Sequence, residues 1–173
     1  LKERIWGGNR LRTVLEKDTG DMTHVGESWE LSAVEDHISV VANGFLEGND
    51  LQELIEVYMG DLVGEAVYGK FGPEFPLLIK FIDAEDDLSI QVHPDDNQAM
   101  LLEGPGFFGK TEAWHVLQAK PGSQIVAGVR PGVSQPSLEQ AIWDGSIELL
   151  AQYLPIQTGD TIFMPPGTLH ALG

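Results

Sequence analysis

Short runs of β-favouring residues alternate along the chain with turn-forming glycine, proline, asparagine and aspartate. The runs occupy positions 28–32, 38–42, 77–83, 88–92, 113–117, 124–129 and 161–164. Runs of this length between turn residues are typical of strands in an all-β barrel or sandwich. The pattern therefore predicts a mainly β structure.

Three segments show helical patterns instead. Asp50 is a candidate N-cap for a helix whose apolar residues repeat at positions 51, 54, 55, 58 and 59, with Gly60 as its predicted end. The run Ser137-Leu-Glu-Gln predicts a capping box that opens a second helix. Asp95 and Asp96 favour the first turn of a third helix, ahead of positions 99–102. The segment 43–76 is therefore predicted to be a helical insertion between early and central strands.

Length and composition narrow the classes of protein. A chain of 173 residues fits one domain, and no run approaches the roughly 20 apolar residues of a membrane span. Ten basic against 27 acidic side chains give a formal charge of −17, which argues against nucleic-acid and membrane partners. The absence of cysteine excludes disulfides and thiolate metal sites and favours a cytoplasmic location. We expect a monomer or a weak homodimer.

Four residues form a candidate metal site. His170 ends a glycine-rich turn that begins at Gly159, and Gln91 and His93 are two apart, which would place both on one face of a strand. Glu112 opens a later apolar run. Two imidazoles, a carboxylate and an amide suit zinc with one position left open for substrate. Gln91 is the weakest ligand of the set and could instead hydrogen-bond the substrate or a metal-bound water.

Two further residues are candidates for binding a substrate. Lys110 lies two residues before Glu112 and would share its strand face, so its ammonium could bind a phosphate or a sugar oxygen. Ser89 would extend the polar face that carries Gln91 and His93, as one wall of a polar pocket. The three other histidines are expected to be structural or exposed: His24, His37 and His115.

Six sequence motifs in order resemble those of type I mannose-6-phosphate isomerase in its short bacterial form, a member of the cupin superfamily. They are Ile-Trp-Gly-Gly at 5–8, Gly-Glu-Ser-Trp-Glu-Leu-Ser at 26–32, Pro-Leu-Leu-Ile-Lys-Phe-Ile-Asp-Ala at 76–84, Leu-Ser-Ile-Gln-Val-His-Pro-Asp-Asp at 88–96, Gly-Lys-Thr-Glu-Ala-Trp at 109–114 and the turn that ends at His170. The resemblance spans the whole chain.

The resemblance implies a cupin-type jelly-roll barrel with helical insertions, forming one metal-binding catalytic domain over 1–173. It implies one zinc ion per chain and the interconversion of mannose 6-phosphate and fructose 6-phosphate through an enediolate. It also places Ser89 and Lys110 in the substrate site, with Lys110 taking part in catalysis. The sugar phosphate is the one expected partner.

The resembled family continues past the turn that ends at His170 and supplies an arginine important for activity, whereas this sequence ends three residues after His170. Either the chain is a fragment of a longer protein, which the abrupt end favours, or this version lacks the arginine. Two other interpretations of the same residues stay open at this point. Two histidines and a glutamate also suit an Fe(II) cupin oxygenase, and a cupin with a vestigial site would bind sugar phosphates without converting them.

Overall fold

The computed structural model describes residues 1–34 and 36–173, and within it the chain forms two compact units, Leu1–Asp83 and Ala84–Gly173. The described residues contain eight strands and six α-helices, with the strands in three small antiparallel sheets. The prediction of β structure interrupted by helices is confirmed in this mixed form. No closed barrel is detected among the described strands. One domain over 1–173 stays a prediction.

The first unit is built on a three-stranded sheet with the order β1-β2-β3. Its elements are β1 (Lys2–Gly8), α1 (Arg10–Thr13), β2 (Val25–Leu31), α2 (Leu51–Tyr58), α3 (Gly60–Val63), α4 (Glu65–Phe71) and β3 (Ile79–Ile82). The strand predicted at 38–42 is wrong, because that segment forms only an isolated bridge between Val40 and Asp50. Three helices occupy the segment predicted as a helical insertion.

The first long helix begins as the sequence predicts and ends differently. Asp50 caps α2 by accepting from the backbone N–H of Glu53, whose side chain accepts in return from the N–H of Asp50. The helix ends at Tyr58 because Met59 turns the backbone at a φ of 48°. Gly60 then opens α3, so its prediction as the stop is wrong.

The second unit holds two separate sheets, β4-β7 and β6-β5-β8. Its elements are α5 (Asp96–Glu103), β4 (Glu112–His115), β5 (Gln124–Val129), α6 (Gln135–Asp144), a 3₁₀ turn (Ile147–Leu149), β6 (Ala151–Pro155), β7 (Thr161–Met164) and β8 (His170–Leu172). The small core on the three-stranded sheet contains Val126, Ala151 and Ala171, with Ile90 and Leu169 packed against it.

Two predictions for the second unit are wrong. The segment 88–92 is not a strand, because only Gln91 forms a bridge, to His170. Ser134 rather than Ser137 caps α6, since the Ser134 hydroxyl accepts from the N–H of Ser137. The start at Gln135 suits Pro136, which has no N–H to contribute and is well placed in a first turn.

The third predicted helix is confirmed. Asp95 caps α5 by accepting from the N–H of Gln98, whose side chain accepts from the N–H of Asp95. None of the helices in the described part of the chain combines the length and the apolar character needed to span a bilayer.

Candidate metal centre

Backbone pairing brings the two histidine-bearing segments together. Gln91 and His170 exchange both backbone hydrogen bonds, N–H to carbonyl, at 2.8 Å each. The carbonyl of His93 accepts from the N–H of Gly167 at 2.8 Å, within the turn that leads to His170. His170 is also the first residue of β8 and pairs with Ala127 of β5. The sheet register therefore sets the position of the second histidine relative to the first.

Glu112 completes a cluster with these two histidines. It is the first residue of β4, opposite the buried Met164 of β7. Its Oε1 lies 3.7 Å from Nε2 of His93, and its Oε2 lies 3.4 Å from Nε2 of His170. One ligand atom from each of the three residues lies within 4.8 Å of the others, so the group could hold a metal ion. The structure thus brings together the three stronger predicted ligands.

The imidazole of His170 is held in one orientation. Its Nδ1 is 2.8 Å from the carbonyl oxygen of Thr168, which can only accept, so the proton is assigned to Nδ1. The ring of Trp114 packs against it edge-on, with centroids 5.5 Å apart. His170 is 4% exposed, and its Nε2 has no hydrogen-bond partner among the described residues.

That buried nitrogen is the observation that tests the fit of a metal. A buried polar atom without a partner is costly, and native proteins rarely retain one without a functional reason. With the proton on Nδ1, Nε2 of His170 presents a lone pair toward the Glu112 carboxylate. Two imidazoles and a carboxylate are a donor set that zinc and Fe(II) both accept. The residues present therefore fit a divalent ion.

Lys110 reaches the same cluster. Its Nζ lies 2.5 Å from Oε1 of Glu112 and 3.0 Å from Nε2 of His93. Burial alone raises the pKa of Glu112, but the Lys110 hydrogen bond and charge, with smaller contributions from the two imidazoles, outweigh it and lower the pKa below its usual 4.5. The carboxylate is therefore ionised at neutral pH, which is the form that binds a metal.

Ser89 and Gln91 are exposed and lie shortly before His93 in the chain. The Gln91 side-chain amide donates to the Ser89 carbonyl at 3.4 Å, while its backbone pairs with His170. Because 88–92 is not a strand, the predicted polar strand face of Ser89, Gln91 and His93 does not form as such. Metal binding by Gln91 and substrate binding by Ser89 stay predictions.

The remaining histidines lie at the surface. His24 contacts the hydroxyl of Thr23 through Nδ1 at 3.0 Å, and His115 contacts that of Thr161 at 2.9 Å. His37 packs edge-on against Trp29.

One charged cluster in the first unit is not singled out by the sequence analysis. Glu27 of β2 is only 7% exposed and accepts from Arg4 at 3.0 Å, from Lys80 at 3.2 Å and from the Trp29 indole at 3.0 Å. A carboxylate inside a strand and a lysine in an apolar run 53 residues later are the signals that could have revealed the pair. Sequence spacing gives no indication that β2 and β3 are neighbours.

Comparison with known proteins agrees with these motifs. Residues 1–106 match the family model of the phosphomannose isomerase type I catalytic domain. The chain belongs to the type I phosphomannose isomerase family. A mannose-6-phosphate isomerase of Streptococcus mutans is 40% identical over 173 residues, covering all of this chain and 52% of the relative. The chain therefore spans about half the length of the curated relatives it matches.

Solved structures of phosphomannose isomerases have the same fold. The mannose 6-phosphate isomerase of Bacillus subtilis superposes with a TM-score of 0.84 at 39% identity, over 99% of this chain and 52% of the other. A mannose 6-phosphate isomerase bound with zinc and yttrium superposes with a TM-score of 0.73 at 18% identity, over 99% of this chain and 63% of the other. The second comparison carries the fold alone.

Proposed function

We propose that this chain carries the zinc centre and a substrate-binding lysine of a mannose-6-phosphate isomerase, which interconverts mannose 6-phosphate and fructose 6-phosphate. The observation that carries the proposal is the buried Nε2 of His170, which faces Glu112 in a cluster with His93. His93, Glu112 and His170 would hold one zinc ion per chain, with Gln91 as a further ligand or as a hydrogen-bond donor to the substrate. Membership of the family supports the reaction.

The reaction moves one proton from C2 to C1 of the open aldose and one from the C2 hydroxyl to the C1 oxygen, through an enediolate. When bound, zinc supplies a Lewis acid that polarises the sugar carbonyl. The residues of the chain prepare that chemistry: Glu112 stays ionised, and the Thr168 carbonyl keeps the proton of His170 on Nδ1. Both effects leave the Glu112 carboxylate oxygens and Nε2 of His170 as electron-pair donors for a metal ion.

Lys110 supplies the positive charge that a phosphorylated substrate needs. The formal charge of the chain is −17, so its overall field repels a dianion, and binding must rest on local charge. The Lys110 side chain is about half exposed at the edge of the cluster, which leaves it accessible to a phosphate or a sugar oxygen. We assign Lys110 to substrate binding and to charge stabilisation during the reaction, with Ser89 alongside it.

The remaining parts of the proposal rest on the sequence motifs and the composition. We assign the chain to a cupin-type jelly-roll domain with a helical insertion near 43–76. A cytoplasmic location, a sugar phosphate as the partner, and a monomeric or weakly dimeric state belong to the same proposal.

Metal analysis and a coupled isomerase assay on the 1–173 chain test the proposal together. We expect about one zinc per chain and saturable binding of mannose 6-phosphate, which a chelator abolishes. Conversion of mannose 6-phosphate would assign turnover to this chain, whereas binding without conversion would restrict its role to binding. A chain that retains neither zinc nor the sugar phosphate, or one that holds iron and consumes oxygen, would contradict the proposal.

A further inference from the structure

The short segment 93–96, which leads into the first turn of α5, is hydrogen-bonded to two other segments that contribute to the metal centre. The carbonyl of His93 accepts from Gly167, ahead of His170. The carbonyl of Pro94 accepts from the N–H of Lys110 at 3.0 Å. The Asp96 carboxylate accepts from the N–H of Gly109 at 2.9 Å. The segment 93–96 therefore fixes the backbone of two other segments, the one that carries Lys110 and the one that carries His170.

The segment 104–111 returns from the end of α5 to the beginning of the same helix. Gly104 and Gly106 adopt φ values of 111° and 95°, which only glycine adopts without strain. Gly109 lies so close to the backbone of Pro94 and Asp95 that an added Cβ would be 2.4 Å from the carbonyl carbon of Asp95. The close approach makes the Asp96 hydrogen bond possible, and Lys110 follows directly.

We propose that Asp96 is a positioning residue for Lys110, which it holds at the metal centre through the Gly109 amide. The inference rests on the proposed function only for the consequence, namely sugar-phosphate binding. Two backbone-directed hydrogen bonds, to Asp96 and to Pro94, fix adjacent peptide groups, so the Lys110 side chain leaves the backbone at a defined point. The Asp96 bond is the one that a side-chain substitution can remove.

Two substitutions separate the hydrogen bond from the charge. Asp96→Ala removes the acceptor oxygen and the negative charge, whereas Asp96→Asn removes the charge and keeps an oxygen acceptor. Both weaken the favourable charge at the first turn of α5 to the same extent. Both also remove a negative charge near a site for a dianion, and that change alone would strengthen anion binding in both variants. The loss of charge predicts tighter mannose 6-phosphate binding in both variants. Weaker binding in Asp96→Ala alone therefore cannot result from the loss of charge.

The structural part is measured by amide hydrogen exchange in the 1–173 chain. In Asp96→Ala we expect protection of the Gly109 amide to fall by roughly tenfold, as for loss of one hydrogen bond to a charged acceptor. Protection of Ala99, whose N–H donates to the Asp95 carbonyl inside α5, should stay within about twofold and shows that the helix is intact. Unchanged protection at Gly109 would overturn the proposal.

The functional part is measured by mannose 6-phosphate titration and zinc content. We expect Asp96→Ala to bind mannose 6-phosphate about three- to tenfold more weakly with zinc retained, and Asp96→Asn to match the unmodified chain or exceed it. Equal or tighter binding by both variants would overturn the proposal. If the unmodified chain binds no sugar phosphate, the proposed function fails instead, and the Gly109 exchange result alone decides whether Asp96 holds the segment.

Discussion

Nε2 of His170 lies 3.4 Å from Oε2 of Glu112, in a position where the histidine is almost completely buried. The Thr168 carbonyl holds the only proton assigned to that ring on the opposite nitrogen. The lone pair of the buried imidazole therefore faces the ionised carboxylate of the partly buried Glu112. Such an arrangement is unfavourable unless a positive charge lies between them, which makes the cluster a strong candidate for binding a cation.

Removing either histidine should remove the metal. His93→Ala and His170→Ala each leave only one imidazole and Glu112, which is too few strong ligands to retain zinc against dialysis. We expect less than about a tenth of the normal zinc content by atomic absorption. His115→Ala is the matched control, because His115 is exposed on the same strand as Glu112 and bonds to Thr161 instead. Normal zinc content in both cluster variants would show that the metal binds elsewhere.

Lys110 should separate substrate binding from metal binding. We expect Lys110→Ala to weaken mannose 6-phosphate binding by about tenfold, since one charged hydrogen bond is lost at a half-exposed position. Zinc affinity should not fall, because an ammonium 3.0 Å from Nε2 of His93 repels a second cation. Calorimetric titration with each ligand measures both effects. Lys120→Ala, which removes an exposed lysine paired with Glu85, should change neither.

If Lys110 contacts the phosphate, Lys110→Ala should weaken the binding of mannose 6-phosphate more than the binding of free mannose. An equal loss of affinity for both sugars would mean that the ammonium contacts a hydroxyl or carbonyl oxygen of the sugar instead.

Acid should remove the stabilisation that Glu27 provides. Burial alone raises the pKa of Glu27, but the Trp29 hydrogen bond and the Lys80 and Arg4 charges outweigh it and lower the pKa below its usual 4.5. A carboxyl whose pKa is lower in the folded state stabilises the fold above its unfolded pKa, and this contribution disappears as the pH falls through the folded pKa. The advantage in unfolding free energy of the unmodified chain over Glu27→Gln should therefore shrink below about pH 4.5.

Urea unfolding between pH 7 and pH 3 measures this difference. Glu148→Gln, at an exposed position, serves as the control and should unfold at nearly the same urea concentration as the unmodified chain. A Glu27→Gln deficit that stays constant over the whole pH range would show that packing, not charge, accounts for it.

Substitution of glycine by alanine should change the unfolding free energy in opposite directions at Gly69 and Gly109. Gly69 lies inside α4 with open space where an added methyl group would project, so Gly69→Ala should raise the unfolding free energy by about 0.5–1 kcal/mol. At Gly109 a methyl group would overlap the backbone of Asp95 and Pro94, so Gly109→Ala should lower stability and displace Lys110. Thermal unfolding of both variants checks the pair. A stabilised Gly109→Ala chain would refute the close approach.

The cluster of His93, Glu112 and His170 could be predicted from the sequence because its signals are local. The turn before His170 and the Gln-x-His spacing of Gln91 and His93 are recognised from short stretches of sequence. Helix α5 was predictable for the same reason, since Asp95 and Gln98 form a complete capping box within four residues. Membership of the family rests on such short motifs in order.

The parts that were missed depend on pairing between distant segments. The edge strand β1 has three consecutive charged residues followed by Ile5 and Trp6, so it shows no strand-like alternation and forms a strand by pairing with β2. The segment 88–92 has strand-like composition, yet it stays outside a ladder because its described backbone partners are limited to Leu172 and His170. Glu27 was missed because its partners Arg4 and Lys80 come from two other strands. Sequence patterns do not state which strands are neighbours.

The contacts of Gly109 and Lys110 with Asp96 and Pro94 have a consequence for the changes in chain length that this site tolerates. The chain leaves this place at Asp96 and returns to it at Gly109, so the segment 96–109, which contains α5, is a loop closed by the hydrogen bonds to Asp96 and Pro94. Its length and composition can vary without moving His93 or Glu112, provided these hydrogen bonds are kept. The number of residues between His93 and Glu112 is therefore expected to tolerate change. The segment 93–96 and Gly109 are not.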